Sequence, residues 1–214
     1  MNLINTKKTS LACLSALLCA VWLNCSAAGW AKPLHFHVKG GDGNKVEFTS
    51  DAPVELMHGK TDKITGDVTL DDSFKFDAKH PFSIYFSVDL ASIDTGIDLR
   101  NEHMRDNFLE TGKYSNATYK ATAIKMQGKP DLKKAQTVKL ISSGEFTVHG
   151  VTEQKTIPLT VNYTPAKAGK PARIQVHGNF PVKLEQFHIK RPEAVLVKLA
   201  DTVFVDVNAT GYAK

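Results

Sequence analysis

The chain has 214 residues, 42% of them apolar and 23% charged, with a formal charge of +5. That composition is ordinary for a folded domain and excludes a largely disordered or collagen-like chain. The three cysteines, Cys13, Cys19 and Cys25, all fall in the first 25 residues, so the working domain beyond them has no thiol.

The first element explains this placement. Lys7 and Lys8 precede an apolar run of 13 residues, Leu11 to Leu23, and small residues follow in Ser26-Ala27-Ala28 and Gly29-Trp30-Ala31. This is the pattern of a secretory signal peptide over residues 1–31, cleaved after Ala28 or Ala31. The run is too short for the roughly 20 residues that span a bilayer. Neither Cys19 nor Cys25 stands in a lipoprotein box. The expected destination is the periplasm, or beyond it by secretion, and the mature chain has no transmembrane anchor. Residues 32–214 keep 25 basic and 22 acidic residues, a net charge of +3 spread along the chain. So weak an excess does not indicate nucleic-acid binding. A cysteine-free exported domain has no disulfide and no cysteine-zinc site, and must be held by packing and backbone pairing.

Strands follow in sequence. They are expected at Leu34–Lys39, Lys45–Thr49, Val54–His58, Ile64–Leu70, Phe82–Leu90, Ala117–Met126, Val138–His149, Thr156–Tyr163, Arg173–Phe180 and Thr202–Ala209. In Phe82–Leu90 one face is Phe82, Ile84, Phe86, Val88 and Leu90, and the other is Ser83, Tyr85, Ser87 and Asp89. Turn residues separate the strands, and Gly40-Gly41-Asp42-Gly43-Asn44 reads as a hairpin turn rather than a phosphate cradle. One segment departs from the pattern. Asp98–Leu109 is rich in helix formers, with Asp94, Thr95 or Asp98 available as its cap and Gly112 beyond its end. It predicts one short helix, about residues 98–110, closing over the sheet. Its apolar line is Met104 and Phe108, and its polar face is Arg100, Glu102, Arg105 and Asp106. An all-β chain of eight or more such strands suggests a sandwich or a closed antiparallel barrel.

The sequence carries no nucleophile elbow, phosphate loop, dinucleotide fingerprint or paired-histidine zinc motif. His35 and His37 share a strand face and could ligate a metal, but no third ligand stands at a recognisable spacing. His103, beside Glu102 and Arg105, reads as part of a surface charge pattern, and His188 has no evident partner. No enzyme and no metal site is predicted. An apolar interior has two uses: side chains fill it, or it encloses an apolar ligand. Ala117, Ala121 and Ala123 beside Tyr119, and Gly66 beside Val68 and Leu70, would leave room inside.

Several segments in order resemble the YceI-like family. They are Ser92-Ile-Asp-Thr-Gly96, Arg100-Asn-Glu-His-Met-Arg105, Phe108-Leu109, Lys113-Tyr114, Ala117-Thr-Tyr119, the hairpin Gly144–Thr152, the strand Ile64–Asp71 and the closing strand Val203–Ala209. Tyr114-Ser115 replaces the family's Tyr-Pro, and the Pro-interrupted Ser50–Gly59 replaces its usual second strand. The resemblance implies an extended antiparallel lipocalin-like β-barrel over residues 32–214. It also implies an exported protein that holds a polyisoprenoid, or a quinone-type lipid, in the lumen as carrier, store or scavenger. The implied partner is a long apolar small molecule, with no other cofactor. Arg100 and Arg105 are expected to pair with carboxylates. The expected lining is Phe82, Ile84, Phe86, Val88, Ile157, Leu159, Val161, Val203, Val205 and Val207. The alternative is a structural or stress-response module whose barrel is filled and takes no ligand. The oligomeric state stays open, a homodimer included.

Overall fold

The computed structural model describes residues 33–41, 43–70, 76, 82–126, 128, 130–131, 133–191 and 199–214, all within one compact unit, Ala31–Lys214. The leader segment and the Lys79-His80-Pro81 turn lie outside the described residues.

Alternation and turn chemistry produce ten strands among the described residues: β1 (Leu34–Val38), β2 (Lys45–Asp51), β3 (Leu56–Thr61), β4 (Ile64–Leu70), β5 (Ser83–Asp89), β6 (Asn116–Met126), β7 (Gln136–Val148), β8 (Val151–Thr164), β9 (Arg173–Lys183) and β10 (Thr202–Ala213). Every pairing between them is antiparallel. The order is β1-β4-β5-β6-β7-β8-β9-β10-β2-β3, and pairing of β1 with β10 closes the ring. Closure removes most of the exposed edge that an open sheet of this length would present, and β3 meets only the Lys60–Asp94 bridge on its outer side among the described residues.

The ten strands occupy eight positions around the barrel. One edge of β10 pairs with β2 through Phe204–Asn208 and with β1 through Gly211–Ala213. Strands β1 and β2 therefore run in one direction, as two pieces of an interrupted strand. The glycine-rich segment between them is not the hairpin turn expected from sequence. It is an offset, filled by Asn44: its Oδ1 accepts from Thr210 N–H at 2.7 Å and its Nδ2 donates to Lys39 O at 2.6 Å. Strands β3 and β4 are interrupted in the same way at Asp62-Lys63. The strand expected from Val54 starts at Leu56 instead, because Pro53 and Val54 lie in the turn after β2.

The alternation holds along most of the wall. In β4, Ile64, Gly66, Val68 and Leu70 are buried while Thr65 and Asp67 are exposed. Strand β6 breaks it with a bulge between Ala121 and Ala123. The extra residue turns Ala123 outward and brings Ile124 in, so Ala123 leaves the inner face expected for it. Polar residues such as Thr156, Thr160 and Asn162 face out. An apolar inside and a polar outside are the reverse of an outer-membrane barrel, whose lipid-facing surface is apolar. No helix among the described residues is long and apolar enough to cross a membrane.

The helical segment lies between β5 and β6. α1 spans Asp98–His103, and a π-helical turn continues it through Met104–Phe108. Wide-turn hydrogen bonds mark this stretch: Leu109 N–H donates to Met104 O at 2.9 Å and Thr111 N–H donates to Arg105 O at 2.8 Å. None of the three expected caps acts at the helix start. Ile97 occupies that position and makes no side-chain cap bond. Asp94 and Thr95 instead organise the loop before it through the buried Asn101. Asn101 Oδ1 accepts from Thr95 N–H at 2.8 Å and Thr95 Oγ1–H at 2.7 Å, and its Nδ2 donates to Asp94 at 2.7 Å. Asp98 still complements the helix dipole from the first turn.

Candidate functional site

Inside the barrel, under the helical segment, is a cavity of about 510 Å³. A packed interior holds few voids larger than a water molecule, so this end of the lumen is not filled by side chains. The lining is almost wholly apolar. One wall is aromatic: Phe146 on β7 makes edge contacts with Phe180 on β9 and with Phe187 buried behind them, both at 5.5 Å between ring centres. The other walls mix the rings of Phe48, Phe86 and Tyr119 with aliphatic side chains such as Val88, Val205 and Val207. Met104, Phe108 and Leu109 reach into it from the helical segment.

The structure gathers eight of the ten candidate lining residues on this cavity: Ile84, Phe86, Val88, Ile157, Leu159, Val203, Val205 and Val207. The other two sit lower. Val161 faces a second, smaller cavity of about 60 Å³, and Phe82 packs in the lower core, its ring edge-on to Phe76 at 5.5 Å. The candidate lining, drawn from β5, β8 and β10, missed β2, β3, β6, β7, β9 and the loops, among them Phe48, Met57, Tyr119, Phe146, Phe180 and Ile93. Only the apolar line Met104–Phe108 pointed to the helical share of the lining.

The polar groups lie where α1 meets the turn between β2 and β3. Arg100 was expected on the outer face of the helix but lies at the cavity mouth, in an ion pair with Glu55. Its other donors are also engaged: Nε donates to Thr95 Oγ1 at 3.0 Å and NH2 to Thr95 O at 2.9 Å. The ring of His103 stands nearby on the mouth. Large apolar side chains surround this polar knot and remain exposed, Val54 by 67%, Leu56 by 58%, Ile97 by 51% and Leu99 by 61%. Deeper in, Tyr119 and the buried Ser142 share a hydrogen bond of 2.7 Å. Burial holds the Tyr119 phenol above its ordinary pKa, partly offset by that hydrogen bond.

The remaining histidines among the described residues lie outside the cavity. His35 bonds Thr69 at 3.0 Å and His37 bonds Asp67 at 2.7 Å, each with a neighbour on β4. Among the described residues no group of three His, Cys, Asp or Glu side chains converges on a point. His149 Nδ1 lies 3.0 Å from the Phe187 carbonyl and ties the β7–β8 turn to the aromatic wall. His188 is exposed in a left-handed turn.

The model of the YceI-like domain matches residues 38–211. The chain belongs to the YceI-like domain family. Among its relatives, Protein YceI of Escherichia coli O6:H1 is 31% identical over 125 residues, covering 56% of this chain and 60% of the relative. The UPF0312 protein VPA0850 of Vibrio parahaemolyticus is 29% identical over 152 residues, covering 71% and 72%. The match to Protein YceI thus spans less than two thirds of that relative's own length. Two solved structures share the fold of this YceI-like barrel. BcnA of Burkholderia cenocepacia superposes with a TM-score of 0.59 at 25% identity, covering 78% of this chain and 95% of that one. A domain from Saccharophagus degradans, described as polyisoprenoid binding and implicated in plant cell wall breakdown, gives 0.61 at 23% identity, covering 85% and 99%.

Proposed function

We propose that this YceI-like barrel holds a long apolar ligand of polyisoprenoid type in its upper cavity, tail inward, and performs no chemistry of its own. The observation that carries this reading is the cavity of about 510 Å³, almost wholly apolar in its depth with charged groups only at the mouth. Each methylene transferred from water into such a space contributes about 0.8 kcal/mol, so a tail needs no strong polar anchor. The description of the Saccharophagus degradans domain supports the same ligand class. Glu55 and Thr95 engage the Arg100 guanidinium. An uncharged head, such as a quinone ring or an alcohol, therefore suits the mouth better than a phosphate. The signal pattern of residues 1–31 supports a role as carrier, store or scavenger in the periplasm. The test is native mass spectrometry of protein purified from its own host, followed by solvent extraction. A bound prenyl lipid is expected. Repeated recovery of empty protein that takes up no prenyl quinone would overturn the reading.

A further inference from the structure

The upper and lower cavities have four lining residues in common, Ile84, Phe86, Leu159 and Val176. We infer that Phe86 and Leu159 form a partition across the lumen that sets how much of a ligand tail the barrel accepts. The inference rests on the ligand reading above.

The partition is built from two cross-strand pairs facing each other. On one side Phe86 of β5 lies directly opposite Gly66 of β4. On the other Leu159 of β8 lies opposite Gly178 of β9. A Cβ at Gly66 would run into the Phe86 ring, and one at Gly178 into the Leu159 Cδ2 methyl. The glycines thus provide the seats on which the two large side chains rest. Neither glycine leaves open room, as Gly66 was expected to; its space is taken by the Phe86 ring. Phe86 and Leu159 are only partly buried although they face inward, because void borders them. Below them the lumen continues into the cavity of about 60 Å³ beside Val138 and Tyr163.

The physical consequence is a limit on length. At about 30 Å³ per water-sized unit, the upper space takes about 17 carbon atoms. Each methylene buried there strengthens binding roughly fourfold. Once the tail reaches Phe86 and Leu159, further carbons stay at the mouth and add nothing. Shortening either side chain joins the two cavities and moves the limit.

The test measures the affinities of farnesol, geranylgeraniol and solanesol for the wild type and for Phe86→Ala and Leu159→Ala, with Phe86→Leu as the milder variant should the first not fold. In the wild type, affinity is expected to rise about sixteenfold from farnesol to geranylgeraniol, the two carbons that still fit, and no further for solanesol. In the variants, where all five extra carbons fit, geranylgeraniol should gain roughly a hundredfold or more over farnesol. If all three alcohols bind and the variants keep the wild-type length profile, the partition is overturned while the ligand reading stands. A wild-type affinity that climbs steeply through to solanesol overturns it equally. If no alcohol binds any of the proteins, the ligand reading fails and the partition with it.

Discussion

The two ends of the barrel are made by the same strands with the same alternation, yet one holds a cavity of about 510 Å³ and the other only about 60 Å³. At the lower end large side chains meet across the lumen: Phe36 of β1 lies edge-on to Tyr163 of β8 at 6.5 Å, and Val68, Leu70 and Ile174 complete the packing. At the upper end rings stand on several walls, Phe146 against Phe180 with Phe48, Phe86 and Tyr119 on others, and they leave a space between them. The amount of apolar side chain does not separate the ends. What separates them is whether the inward side chains meet across the barrel or stop short of one another.

Substitutions can break this comparison. The largest expected effect is at the lower end, where Phe36→Ala removes a ring that is 1% exposed and should cost about 3–5 kcal/mol in urea unfolding. Phe86→Ala, beside the void, should cost clearly less, and equal losses would mean the upper end is packed after all. Added bulk should behave in the opposite way. Ala172→Leu, in the lower core and outside both cavities, overpacks and should cost about 1–3 kcal/mol. Val205→Phe at the upper end should leave thermal stability nearly unchanged and weaken prenyl alcohol binding at least tenfold.

Arg100→Ala sharpens the comparison further. It removes a partly exposed ion pair and two hydrogen bonds at the mouth. A stability loss of about 1 kcal/mol is expected. Hydrogen exchange should quicken in residues 98–108 and stay unchanged in β1 and β4. The smallest effect concerns Asp94. Its carboxyl is held below the usual range, first by the Gly96 N–H and then by the Asn101 amide. Its stabilising contribution is therefore complete above the ordinary carboxylate pKa and is lost as pH falls through the lowered value. The melting difference between wild type and Asp94→Asn should shrink on acidification, and a difference that grows would refute the assignment.

The strands, their inner faces and the helical segment were legible in the sequence because each writes a local period. Ile84, Phe86 and Val88 could be placed inward from β5 alone. Three features were not legible, each for a physical reason. Whether the glycine-rich segment after β1 is a hairpin or an offset depends on β10, more than 160 positions away in the chain. The turning out of Ala123 depends on a bulge, which alternation cannot foresee. The inward position of Arg100 depends on Glu55 and Thr95, and local helix periodicity names neither. The hollow itself was out of reach too, since period 2 says which side chains point inward and not how far they reach.

The interrupted strand opposite β10 bears on the order in which the molecule can be made. β10 is the last of the described strands, and it holds β9 along one edge and both β2 and β1 along the other. A chain made N-terminus first therefore presents β1 and β2 long before their shared partner exists, although β1 can already pair with β4 and β2 with β3. Their ladders to β10 form only when Thr202–Ala213 arrives, so the ring closes in a late, long-range step of the slow kind that distant strand pairing imposes. The last of the described strands is thus the one that fixes the first.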